Sequence, residues 1–263
     1  MKLSIVCLTI TLLASAAWAE EIAIREVAYT DDDTQFAGYA VYDRAVEGPR
    51  PGILIVHQWT GPGRYEHYRA RMLAEAGYAV FIADIYGTDA AGDPIRPAPG
   101  PDAGAVAGRF RGGDRQLFRS RLRLGLEQLK AMPVVDSDRL AAIGYCFGGM
   151  GVLELARDGA AVNAVVSVHG GLDSPAPDDG ANIRASVLIL HASNDPTTPP
   201  DQIAALVAEL DTHQVDWQMN IYTHQGHSFT DPEGAGYNPV ADRRSWAAQM
   251  LFLAEHLGDG ADQ

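Results

Sequence analysis

"PGILIVHQW", residues 51–59, is a short continuous apolar run, and it is the feature that most limits what this chain can fold into. A run too short for a core helix and apolar on both sides of its period reads as a strand covered on both faces. A polar, helix-like stretch from Tyr65 to Ala76 follows, then Gly77, then a second apolar run, "YAVFIAD". Strand, helix and strand in that order make a parallel crossover unit. The alternation continues with "LFRSRLRLGLEQLKAM" as helix, "RLAAIGY" as strand and a helix over about 147–157. It goes on with "AVNAVVSVHG" and "SVLILHA" as strands, a helix over about 200–210, the strand "DWQMNIY" and a closing helix over 239–257. The expected fold class is therefore α/β, one mostly parallel central sheet flanked by helices on both faces. "EIAIREVAYT" and "TQFAGYAVYD" add a β-hairpin at the front, turning at 31–33.

Two segments stand outside this pattern. "MKLSIVCLTITLLASAAWAE" has one lysine, an apolar run from Leu3 to Leu13 and small residues at Ala17 and Ala19. This is the pattern of a signal peptide, residues 1–19, so the chain is expected to be secreted or periplasmic. The apolar run is shorter than the roughly 20 residues a membrane span needs, and no later segment is apolar enough to span. Residues 20–263 are expected to form a single domain with no internal repeat. Within it, residues 88–113 are rich in Gly, Ala, Pro and Asp and read as an irregular loop or small cap over the site.

Charge and cysteine content narrow the function. The net charge is −14, and loss of Lys2 with the leader makes it one unit more negative, which argues against nucleic acid as a partner. Cys7 lies in the leader. The exported chain therefore holds one thiol, Cys146, and cannot form an internal disulfide.

That thiol sits in "AAIGYCFGGMG", between a strand and a helix. Gly144-Tyr145-Cys146-Phe147-Gly148 has the form G-x-nucleophile-x-G of a nucleophile elbow, whose strained turn needs small neighbours. The turn leaves the thiol at a helix N-terminus, where partial positive charge favours thiolate, with the backbone N–H of Phe147 facing a developing oxyanion. In enzymes built this way the acid and then the histidine follow in chain order. "LILHASNDPTTPP" offers Asp195 just after one strand, and "YTHQGHSFTDP" offers His227 after the next. His224 is the rival histidine, but it lies closer to its strand and lacks a preceding glycine. The His224–His227 spacing does not complete a zinc pattern with Asp195 or Cys146, so no metal is expected.

These motifs together resemble the dienelactone hydrolase family of α/β-hydrolases. "HQWTG" is similar to that family's H-E-x-x-G segment, "ADIYG" to its P-D-L-Y segment, "GYCFGG" to its elbow, and "SNDP" and "GHSF" to its acid and histidine segments. The resemblance implies an α/β-hydrolase fold and a catalytic triad of Cys146, Asp195 and His227. It implies a second oxyanion donor in the backbone N–H of Trp59, a small ester or lactone as substrate, and no cofactor. Two departures stand out: Gln58 replaces the family glutamate that helps control thiol protonation, and Asp231 stands where an arginine would hold a substrate carboxylate. The six arginines from Arg109 to Arg123 offer a replacement, but read mainly as a solvated helix face. Gln58, His57, Tyr86 and His169 are candidates for tuning the thiol or touching substrate. Three readings of the chain follow: a cysteine-dependent hydrolase, a hydrolase-fold binding protein with little or no catalysis, and a redox-sensing thiol that would need an external partner.

Overall fold

The computed structural model describes residues 21–258, so the leader read at 1–19 lies outside the described residues. The chain runs β1 (Ile22–Asp31), β2 (Thr34–Asp43), β3 (Arg50–Val56), α1 (Arg64–Glu75), β4 (Ala79–Ala83), α2 (Pro101–Arg111) and α3 (Gln116–Lys130). It continues through β5 (Val135–Tyr145), α4 (Phe147–Arg157), β6 (Ala164–Val168), a 3₁₀ turn (Pro177–Asn182), β7 (Ser186–Ala192), α5 (Pro200–Thr212), β8 (Trp217–Tyr222) and α6 (Pro239–Leu257). All eight strands join one sheet in the order β1-β2-β4-β3-β5-β6-β7-β8. The pairs from β4 to β8 are parallel; β1 pairs antiparallel with β2, and β2 antiparallel with β4.

Successive strand residues point to opposite faces, so each central strand feeds two cores. Leu54, Val56, Phe81, Ala142 and Val165 face Phe118, Leu122, Leu126, Val152 and Leu206 from α3, α4 and α5. Their neighbours Ile53, Ile55, Val80, Ile143 and Val166 face Ala70 and Leu73 of α1 and Phe252 and Leu253 of α6. This two-sided cover is the reason the strands read as continuous apolar runs rather than as alternating ones. Among the described residues no helix is long and apolar enough to cross a membrane.

In the stretch over 88–113, read as an irregular loop or small cap, 11 residues form α2. Its entry is pinned by Asp84. That carboxylate is buried and accepts from the backbone N–H groups of Ala37, Tyr86 and Gly87, and from both Nη atoms of Arg96. Helix α2 then buries Ala103, Ala107 and Phe110. Its Gly104 faces the Trp59 ring, where a Cβ would lie 3.9 Å away.

Candidate active site

The C-terminal ends of β3, β5, β6, β7 and β8 lead into the segments that carry His57–Trp59, Cys146, His169, Asp195 and His227. Parallel strands deliver their following loops to one edge, and that edge is where α/β sheets place their sites.

Cys146 lies between β5 and α4 with φ 57° and ψ −113°, a conformation that costs a non-glycine residue about 1–3 kcal/mol. The surrounding backbone enforces it. A Cβ on Gly144 would sit 1.9 Å from the Gly148 carbonyl oxygen, and one on Gly148 would sit 2.1 Å from that of Val56. Strand, turn and helix can approach this closely only with glycine at both places.

His227 Nε2 lies 2.9 Å from Cys146 Sγ, and its Nδ1 donates to Asp195 Oδ2 at 2.7 Å. The structure thus joins Cys146, His227 and Asp195 in one hydrogen-bonded row, with His227 and not His224 in the middle. Thr197 completes it, donating to Asp195 Oδ1 through its hydroxyl (2.7 Å) and its backbone N–H (2.9 Å). Burial opposes charge on Asp195, but the bonds from His227 and Thr197 outweigh it and hold the carboxyl down at about 2. Burial also opposes charge on His227, and the contacts with Asp195 and Cys146 override it, raising the imidazole to about 10. That makes His227 a strong acceptor for the proton of the thiol it faces.

Phe147 is the first residue of α4, so its N–H belongs to the set that has no partner inside the helix. Trp59 follows β3 in a segment whose peptides are held one by one. His57 Nδ1 donates to the Gln58 carbonyl at 2.5 Å, and His57 Nε2 accepts from the Ile85 N–H at 3.2 Å. That carbonyl belongs to the same trans peptide as the Trp59 N–H, which therefore points the opposite way. Glu66 accepts from the Gln58 N–H at 3.0 Å, and the Tyr86 hydroxyl donates to the Trp59 carbonyl at 2.7 Å.

The remaining candidates, His57, Tyr86, Gln58 and His169, pack around the Trp59 segment and the elbow. His57 is wholly buried and pushed down by that burial to about 4, so it is a neutral brace for Trp59. Tyr86 braces the same segment. The Gln58 side chain turns to Asp231, donating from Nε2 to Oδ2 at 3.2 Å, and its partner is that carboxylate rather than the thiol. His169 accepts the Cys146 N–H on Nδ1 at 3.1 Å and pairs through Nε2 with the Thr230 hydroxyl at 2.8 Å.

A cavity of about 160 Å³ opens beside the sulfur, walled by Arg111, Arg115, Met150, Gly171, Asp173, Thr197 and His227. None of His57, Tyr86 or His169 lines it. Arg111 reaches the cavity from the end of α2 and lies 5.7 Å from the Phe147 ring centre. Of the six arginines read mainly as a solvated face, Arg109, Arg111 and Arg123 are exposed, but two are buried. Arg115 and Arg119 are buried and meet at Glu154, while Arg121 pairs with Asp31 and Arg123 with Asp158.

Sequence reasoning missed Thr197, Glu66 and Thr230, and offered Arg111 only as one of six arginines. Thr197 had a local signal, since the backbone N–H two residues after an aspartate closes an Asx turn and a threonine there adds a hydroxyl donor. Glu66 had one too, at the N3 position after Gly63. Thr230 had none, because its partners Tyr65, Arg69 and His169 come from distant segments.

Known proteins share this arrangement of elements. A solved structure described as m3DLH superposes with a TM-score of 0.84 at 38% identity, over 90% of this chain and 99% of that one. A dienelactone hydrolase-like promiscuous phosphotriesterase, P91, from metagenomic libraries superposes with a TM-score of 0.82 at 35% identity, over 90% and 100%. A probable 2-oxo-3-(5-oxofuran-2-ylidene)propanoate lactonase from a Bradyrhizobium species is 24% identical over 221 residues, covering 81% of this chain and 86% of the relative. The model of the dienelactone hydrolase family matches residues 36–257. With the mostly parallel sheet and the hydrolase relatives, that match places this chain in the dienelactone hydrolase family, an ester- and lactone-cleaving branch of the α/β-hydrolases.

Proposed function

We propose that this hydrolase uses Cys146 as its nucleophile on a small ester or lactone and that it works outside the cytoplasm. The observation that carries the reading is the 2.9 Å approach of His227 Nε2 to Cys146 Sγ at a strained elbow. His227 takes the thiol proton, held in the required orientation by Asp195. Sulfur attacks the carbonyl carbon, and the N–H groups of Phe147 and Trp59 hold the resulting oxyanion. Collapse expels the alkoxide, which receives the proton from His227 and leaves a thioester on Cys146. In a lactone the alkoxide stays tethered to the acyl group. His227 then removes a proton from water, hydroxide attacks the thioester, and collapse of the second intermediate returns the thiol and the free acid. Each step is proton transfer and acyl transfer within these residues and water. Trp59 is assigned from the family resemblance, and its bracing by His57, Glu66 and Tyr86 supports that assignment.

The test compares wild type and Cys146→Ala on a panel of p-nitrophenyl esters, lactones and a neutral phosphotriester, the last because of the relative P91. Wild type should turn over at least one ester or lactone and show a Cys146 acyl adduct by mass spectrometry, while the variant shows neither. No activity above the variant and no adduct would leave the binding-protein reading in its place. Export is tested by N-terminal sequencing of the protein recovered from the periplasm or medium, which should begin at Glu20.

A further inference from the structure

His169 sits directly behind the proposed nucleophile and plays no part in the steps above. Its side chain is wholly buried and absent from the wall of the cavity at Cys146. Both ring nitrogens are nevertheless committed. The Cys146 N–H is shared between the Val168 carbonyl at 3.0 Å and Nδ1 at 3.1 Å, so that nitrogen carries no proton, and Nε2–H is left to donate to Thr230 Oγ1. Burial pushes the ring well below the usual histidine range, and the charge of His227 acts in the same direction, so this neutral tautomer persists.

The two partners belong to the two halves of the row. One is the amide of Cys146 itself; the other lies three residues beyond His227, on the same loop. Thr230 is in turn fixed from behind. Its hydroxyl meets Tyr65 Oη at 2.6 Å, and its carbonyl accepts from Arg69 Nη2 at 2.7 Å. The His169 ring packs edge-on against His227 and Phe229, with centres 5.4 and 5.5 Å apart. Its backbone stays at φ 40°, an uncommon value for a side chain branching into a ring.

We infer that His169 is a positioning residue, a strut between the nucleophile elbow and the histidine loop that sets the separation of Cys146 Sγ from His227 Nε2. It acts on the rate through the Cys146–His227 pair and not on binding, because substrate in the cavity does not touch it. The inference rests on Cys146 being the nucleophile.

Three variants test it. His169→Phe keeps the ring and removes both hydrogen bonds. His169→Asn tolerates the positive φ and puts Oδ1 where Nδ1 accepts from Cys146. Thr230→Val cuts the link at its far end. For an ester turned over by wild type, His169→Phe should lower kcat about 100-fold, the scale of a misplacement near 1 Å, with KM changed less than about two-fold. His169→Asn keeps the contact at Cys146 but cannot reach Thr230, so it should recover only part of that loss. Alkylation of Cys146 by iodoacetamide, followed against pH, needs no substrate. In His169→Phe the rate at neutral pH should fall toward that of an unpaired thiol as the Cys146–His227 contact loosens.

A folded His169→Phe with wild-type kcat and alkylation profile would overturn the inference, as would His169→Asn and His169→Phe losing activity equally with unchanged profiles. If His169→Phe does not fold, Thr230→Val carries the same expectations and the same refutation. Absence of turnover on every ester would sink the hydrolase reading alone, since the alkylation comparison still stands.

Discussion

Glu154→Gln removes one charge from the centre of a buried ionic cluster while leaving its shape. Glu154 lies in α4 with its side chain fully buried, and accepts from Arg115 Nη1 and Arg157 Nη1 at 3.0 Å and from Arg119 Nε at 2.9 Å. The three guanidiniums are themselves at most 5% exposed. Removing one member of a buried pair costs about 3–5 kcal/mol, because the remaining charge stays away from water. Here each arginine keeps a second carboxylate: Asp173 for Arg115, Asp179 for Arg119 and Glu209 for Arg157. The glutamine oxygen still accepts, but its NH₂ group must face a guanidinium. The low end of the range applies, about 3 kcal/mol. With a urea dependence near 3 kcal/mol per M for a chain of this size, the midpoint should fall by about 1 M. Tryptophan fluorescence during urea unfolding reads it directly. The loss should persist in about 0.5 M NaCl, since buried pairs are poorly screened. A fall of less than about 0.3 M, or one that disappears in salt, would refute the view that Glu154 is the hub of the cluster.

Three further outcomes follow from the same geometry. Gly148→Ala should give no active, correctly folded protein, because its Cβ would lie 2.1 Å from the Val56 carbonyl oxygen; thermal unfolding and activity of any soluble fraction check this. Asp195→Asn should lower kcat about 10⁴-fold by loosening the tautomer and orientation of His227. The Asp195 carboxyl titrates at about 2 when folded against 3.8 ordinarily, so its contribution of about 2 kcal/mol is complete above the ordinary value and lost as pH falls through the folded one. Urea midpoints measured at pH values from about 5 down to about 2 should therefore fall by that component in wild type and not in the variant. Gln58→Glu should destabilise the protein at neutral pH by about 1–3 kcal/mol, since it leaves two carboxylates facing where an amide now donates to Asp231. The loss should shrink in mild acid, and a variant as stable as wild type at pH near 7 would sink this account.

Strands and elbow were legible for a local reason. A strand covered on both faces must be apolar at every position, so "PGILIVHQW" and "YAVFIAD" announce themselves, and the elbow glycines are dictated by atoms within a few residues or on the adjacent strand. Helix α2 was hidden because its buried side is built of two alanines and one phenylalanine, too little apolar character to show a period. Arg115 and Arg119 were misjudged for a different reason. Helical spacing suggests which residues share a face, but whether that face meets water depends on partners such as Glu154 and Asp179, 35 and 60 residues from Arg119. A charge run carries no mark of the acids it will meet.

Gln58 and Asp231 illustrate the same limit at the site. In the sequence they are two unrelated departures from the family pattern, one removing a carboxylate near the thiol and one placing a carboxylate where a cation is usual. In the fold they are 173 residues apart in the chain and one hydrogen bond apart in space. Glu66 adds a second acid against the Gln58 backbone and is itself pushed up by burial, with Asp231 adding to the rise. A glutamate at 58 would make a third carboxylate in that space, whereas an amide supplies the donor that Asp231 needs. Each departure supplies the physical reason for the other. Control of the thiol then falls to the contacts Cys146 does have: His227 at its sulfur, and His169 together with the Val168 carbonyl at its amide.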